Sequence, residues 1–170
     1  MWERRVDQEV GRRVHWLIGH AIAYGLGPSA LPRLVAELFA ANPLQVTAAA
    51  SVRSRCVSRA TVYLTRCAPV GWTLVGIEEE LEHCRVDLLF ANDSNGSLVS
   101  EELKAGRPTM MSSAVAEQVG RQFAACSKRW KGAYVGHRVV TLGAPDRSWM
   151  LAPRDGEMRR VSPLAGLEIR

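Results

Sequence analysis

No apolar run in the 170 residues approaches the roughly 18 needed to span a bilayer. The best stretch, Trp16 to Leu26, is interrupted by Gly19, His20 and Gly25. There is no Cys-x-x-Cys pair: Cys56, Cys67, Cys84 and Cys126 stand 11, 17 and 42 residues apart. That spacing speaks against a zinc or iron–sulfur site and leaves four reduced, mostly buried thiols as the expectation. Internal repeats, low-complexity tracts and long linkers are also missing. The first ten residues mix Glu3, Asp7 and Glu9 with arginines, and no small-residue cleavage site follows, so a secretory leader is not expected. Lysine is scarce, with 19 of the 22 bases being Arg. What remains is 47% apolar and 23% charged, the composition of a globular chain. We expect a cytoplasmic protein with no membrane partner and a single domain over residues 1–170. Within it, residues 1–67 are read as helical, 68–152 as a sheet-containing core and 153–170 as a loose tail.

The net charge of +5 is unevenly spread. Residues 1–66 hold nine Arg and four acids, 67–106 hold two bases and eight acids, and 107–170 hold eleven bases and five acids. An acidic middle between basic flanks fits a carboxylate cluster that holds a metal beside surfaces that meet phosphates. A generally arginine-rich composition gives the same totals.

Val10, Val14, Leu17, Ile18 and Ala21 follow the 3.6-residue period of a helix. A second helix is expected over Ser29 to Ala41, bracketed by Gly27-Pro28 and Asn42-Pro43, and a third from Leu44 to Leu64. After Pro69 the period changes. Trp72 to Glu82, Cys84 to Ala91 and Ser97 to Lys104 read as strands, with Asp93-Ser94-Asn95-Gly96 as a hairpin turn. A helix over Ser112 to Ser127 and short strands at His137 to Leu142 and Trp149 to Ala152 follow. This order predicts an α/β fold, a mixed central β-sheet flanked by helices with a helical N-terminal segment.

Alternation puts Leu98, Ser100, Glu102 and Lys104 on one face of the third strand, and Val99, Glu101 and Leu103 on the other. A turn centred on Ser94-Asn95 sets Asp87 opposite Glu102, whereas one at Asn95-Gly96 sets it opposite Lys104. In both registers Asp87, Glu102 and Lys104 share a face, and a one-residue change of loop length breaks this. Two close carboxylates repel unless a cation sits between them, and hard oxygen ligands suit Mg²⁺ or Mn²⁺. A lysine beside such an ion orients or deprotonates a water, the parts needed for phosphodiester hydrolysis. An exposed hairpin with a cross-strand ion pair is the plainer account of the same residues.

The stretch "EEELEHCRVDLLFANDSNGSLVSEELKAG", residues 78–106, resembles the PD-(D/E)xK nuclease superfamily in its Asp87, hairpin and Glu102-Leu103-Lys104. "GRRVH", Gly11 to His15, resembles the Gly-x-x-x-His of the RecB-type branch, and "EQVGRQFAAC" supplies that branch's helical Gln as Gln118. Where the branch usually has Tyr four residues later, this chain has Gln122. The resemblance covers roughly residues 8–126 and implies a restriction-endonuclease-like core. It further implies a divalent metal, Mg²⁺ or Mn²⁺, held by His15, Asp87, Glu102 and the Leu103 carbonyl. Catalysis would fall to Asp87, Glu102, Lys104 and Gln118, with Lys104 assisting the attacking water and Gln118 orienting Lys104 or a phosphate. Glu78 or Glu80 would support the site from the preceding strand.

Arg121, Lys128, Arg129 and Lys131 cluster near Trp130 and Tyr134, a pattern that suits phosphate contacts and base stacking, though cations also favour a helix C-terminus for its dipole. The function expected is a metal-dependent DNA nuclease in repair, recombination, mobile-element maintenance or defence. Its partners would be DNA and a helicase or specificity subunit, or a second copy of the chain. The alternative is a non-catalytic nucleic-acid-binding or assembly module on the same fold. An antibacterial DNase toxin is a third possibility, disfavoured by the lack of a fused delivery domain.

Overall fold

The computed structural model describes residues 2–43, 49–105, 113–151 and 158–160. Helix α1 (Trp2–Ala23) carries the expected apolar stripe, and Val10, Val14, Leu17, Ile18 and Ala21 are fully buried. It ends where Gly25 turns to φ +63°, which lets Gly25 N donate to Ile22 O and Leu26 N to Ala21 O. A 3₁₀ turn (Pro28–Ala30) leads into α2 (Leu31–Ala41), which buries Leu31, Val35, Leu38 and Phe39. Arg13 ties these helices together. Its NH1 donates to Asn42 O at 2.7 Å, and its guanidinium sits 4.5 Å from the centre of the Phe39 ring. Helix α3 (Ala49–Val62) buries Val52, Cys56 and Ala60 and continues into a π turn, Tyr63–Cys67. The expected start of this helix, residues 44–48, lies outside the described residues.

The six strands are β1 (Trp72–Leu81), β2 (Cys84–Asn92), β3 (Leu98–Lys104), β4 (Tyr134–Thr141), β5 (Trp149–Leu151) and β6 (Met158–Arg160). They lie in one sheet in sequence order. Helix α4 (Ser113–Arg129) separates β3 from β4, the sheet's parallel pair, and the other neighbours are antiparallel. A parallel pair needs such a crossover, whereas hairpins suffice elsewhere. Leu88, Phe90, Val99, Leu103, Val140 and Leu142 pack under α1–α3. On the opposite side Val119 and Cys126 of α4 meet Val86, Tyr134, Val139 and Leu151. This is the expected mixed sheet flanked by helices behind a helical N-terminal segment, consistent with a restriction-endonuclease-like core.

Two boundaries differ from expectation. Strand β4 begins at Tyr134, three residues earlier than the sequence pattern suggested, because Gly136 interrupts the strand signal between Val135 and His137. Met158–Arg160, expected within a loose tail, pairs with β5. The β2–β3 turn follows its chemistry closely. Asn92 Oδ1 accepts from Ser94 N, Ser94 Oγ and Asn95 N, and Gly96 takes φ +70°. The resulting pairs, Leu89↔Ser100 and Leu88↔Glu101, select the register that continues to Asp87 opposite Glu102.

Candidate active site

The paired residues of β2 and β3 stop at Leu88↔Glu101. Beyond them a side chain replaces the ladder, as Leu103 N donates to Asp87 Oδ2 at 2.6 Å. The other oxygen, Oδ1, lies 3.0 Å from His15 Nδ1, and His15 Nε2 lies 3.0 Å from Leu103 O. His15, Asp87 and the Leu103 peptide thus close a ring that joins α1 to both strands. Both imidazole nitrogens face acceptors, and a ring that donates at both is an imidazolium. Burial works against that charge, but the Asp87 hydrogen bond and charge, the Glu102 charge and the Leu103 carbonyl together raise the pKa of His15 above its ordinary value. Gly11, one turn earlier, has open space where a Cβ would sit.

Glu102 and Lys104 point to the α4 side of β3. Lys104 Nζ donates to Glu102 Oε1 at 2.5 Å and to Gln118 Oε1 at 3.0 Å, and Gln118 Nε2 donates to the same Glu102 oxygen at 2.8 Å. The second oxygen, Oε2, accepts from Gln122 Nε2 at 2.6 Å, and that amide also donates to Arg85 O at 2.7 Å. Glu102 therefore has donors on both oxygens while only 7% exposed. Gln122, the position at which the chain departs from the family pattern, is buried against Glu102. In the sequence it stood only as a departure from the usual Tyr, with no role of its own.

Asp87, Glu102, His15, Gln118 and Gln122 line one cavity of about 470 Å³. Glu78, from β1, lines it too; Glu80 does not. Further lining comes from Arg12, His83, Cys84, Arg85 and Arg121. Of the four basic residues expected to meet nucleic acid, the cavity takes in Arg121. Lys128 is paired with Glu82 at 2.6 Å, and Arg129 and Lys131 are exposed at the far end of α4. Of the neighbouring aromatics, Tyr134 is enclosed and Trp130 is half-buried. Trp130 packs against Tyr134, and Tyr134 is buried with its hydroxyl 2.6 Å from Ser100 Oγ.

The donor types suit a hard divalent ion: two carboxylates, a carbonyl and an imidazole. In the arrangement described, the His15 ring bridges Asp87 and the Leu103 carbonyl, and Lys104 answers the charge of Glu102. Among the described residues no three His, Cys, Asp or Glu side chains stand together as a preformed metal centre. The residues fit such an ion in kind, in exchange for the His15 ring and the Lys104 ammonium that now meet the same oxygens.

Two buried polar networks flank the cavity. On the α1–α3 side Glu101 pairs with Arg138 NH2 at 2.5 Å and accepts from Tyr63 OH at 2.6 Å. On the α4 side Ser100 Oγ lies 2.8 Å from His137 Nδ1. Burial pulls the pKa of His137 down to about 4, with Lys104 helping and Asp87 opposing, so the ring is neutral. Both networks are fully enclosed and reach no solvent-accessible substrate.

No family model matches the chain, and no curated protein is recognisably similar to it. Among solved structures it is similar to the crystal structure of a repair endonuclease from Pyrococcus abyssi, at 18% identity and a TM-score of 0.35. That match covers 42% of this chain and 29% of the other, under a third of its length.

Proposed function

We propose that the chain is a metal-dependent DNA nuclease whose working residues are Asp87, Glu102, Lys104, His15 and Gln118. The observation that carries this is the convergence on one cavity of His15, Asp87, Glu102 and Gln118, from α1, β2, β3 and α4, with Leu103 and Lys104 hydrogen-bonded to them. His15, Asp87, Glu102 and the Leu103 carbonyl are the groups to hold Mg²⁺ or Mn²⁺. The ion, when bound, polarises the scissile phosphodiester as a Lewis acid. Lys104, hydrogen-bonded to Glu102 and Gln118 of that lining, orients an attacking water. Gln118 fixes Lys104 through its carbonyl oxygen and Glu102 through its amide, so both are held before substrate arrives. Neighbouring Gln122 holds the second Glu102 oxygen.

The second reading, a binding module without turnover, has its own support: every oxygen of Asp87 and Glu102 already has a partner in the chain. A cleavage assay separates the two. Linear, circular and single-stranded DNA are incubated with Mg²⁺ or Mn²⁺ and wild type, Glu102→Gln or Lys104→Ala. We expect metal-dependent cutting that falls by about a hundredfold or more in both variants. DNA binding without cutting by the wild type selects the binding module. Cutting that survives both substitutions removes these residues from the mechanism.

A further inference from the structure

We infer that Arg12, Arg85 and Arg121 form a rim that grips the phosphates of a nucleic-acid strand, and that Glu78 holds Arg85 ready for the exchange. The inference rests on the nuclease reading for the identity of the bound strand, and on geometry for the rest. The three guanidiniums come from α1, β2 and α4, and all line the cavity that has Asp87 and Glu102 within it. Positive side chains brought together from separate elements repel one another unless an anion joins them. Arg85 and Arg121 are not committed elsewhere by a strong partner. Arg12 pairs closely with Glu9, a carboxylate that it shares with Arg13. Arg121 makes no hydrogen bond or ion pair among the described residues. Arg85 meets Glu78 at 3.4 Å, a long contact between half-exposed groups. A guanidinium presents a planar fork of donors that matches two phosphate oxygens, so an arginine rim favours this ligand over other anions.

Glu78 adds an independent observation. It takes φ +51°, alone among the described non-glycine residues in the left-handed region. Strain of this sort in a cavity wall points to a use for the side chain it directs. The pairs Ile77↔Leu88 and Glu79↔Val86 set Glu78 across from Asp87, beside the carboxylates of the site. Its partner there is Arg85, so the chain supplies one carboxylate that a phosphate can replace. Lys128, Arg129 and Lys131, at the end of α4, do not line the cavity.

The test is binding of short fluorescein-labelled DNA and RNA strands, followed by anisotropy across a salt series with chelator present. The proteins are wild type, the triple variant Arg12→Gln/Arg85→Gln/Arg121→Gln, the triple variant Lys128→Gln/Arg129→Gln/Lys131→Gln, and Glu78→Gln. The rim variant is expected to bind about 10–100-fold more weakly at about 0.1 M salt and to lose about two to three from the slope of log affinity against log salt, roughly one per phosphate contact. The α4-end variant is expected to match wild type. Glu78→Gln frees Arg85 and is expected to bind about two- to fivefold more tightly, a change that misfolding does not produce. Loss of rim-dependent binding with DNA, RNA or both supports the rim, and the difference between them identifies the sugar. Unchanged affinity in the rim variant, loss in the α4-end variant instead, or no binding by wild type overturns it. Rim-dependent binding by a wild type that never cuts keeps the rim and removes the nuclease reading. Cutting with KM untouched by the rim substitutions does the reverse.

Discussion

Glu102 accepts two hydrogen bonds on one oxygen and one on the other, and the third donor, Gln122, comes from twenty residues along the chain. That third donor makes Glu102 a fixed group rather than a rotating one. Replacing it with an apolar residue of similar size leaves both a buried carboxylate oxygen and the Arg85 carbonyl short of a partner. Gln122→Leu is therefore expected to lower stability by about 2 kcal/mol, read as a shift in the urea midpoint, with secondary structure retained by circular dichroism. Residue identities and their faces were legible here where backbone period sets them: Glu102 and Lys104 on the α4 side, Glu101 on the other. Partners were not. Glu101 is enclosed with Arg138 and Tyr63, and neither the 37 residues to one nor the 38 to the other leaves a mark in a local pattern. Asp87 shows another limit. Alternation placed it on a face, whereas its carboxylate takes the Leu103 N–H where the paired residues of the strands run out.

At the scale of elements, the hairpin was readable because turn chemistry acts locally: Asn92 and Gly96 fix the loop, and the loop fixes the register. The irregularity of β1 was not, since Glu carries no sign of a positive φ. Its cost is testable. Glu78→Gly relieves the left-handed backbone at the expense of chain entropy, for a net gain of about 1 kcal/mol in thermal or urea unfolding. A stability loss would place the residue's worth in its contacts instead. Glycine plays the opposite part in β4. A Cβ on Gly136 would stand 2.5 Å from Met150 Cε and 2.9 Å from Leu151 O. The methionine can turn aside, but the carbonyl moves only if β4 and β5 part. Gly136→Ala is expected to cost about 1–3 kcal/mol and to speed amide exchange in β5 more than in β2.

For the whole molecule, the buried His137 sets an acid limit. Its pKa is about 4 when folded and near 6.5 when unfolded, so the unfolded chain takes up the proton first. The stability it contributes is complete above about pH 6.5 and drains away as pH falls toward 4, by about 3 kcal/mol at most. Urea titrations across that window are expected to show the fall, and His137→Gln is expected to flatten it relative to wild type. The architecture was legible as a whole, helices then hairpin then helix then strand, because each segment keeps one period. The layering has a temporal side. Helices α1–α3 lie within the first 67 residues, yet the residues that cover their apolar faces extend to Leu142, just past β4 and 75 positions after Cys67. At about 5–20 residues per second, a ribosome delivers that stretch in roughly 4–15 s. For that interval the helical layer is complete in sequence and bare on one side. Newly made chains are therefore expected to depend on holding chaperones during synthesis more than on refolding afterwards.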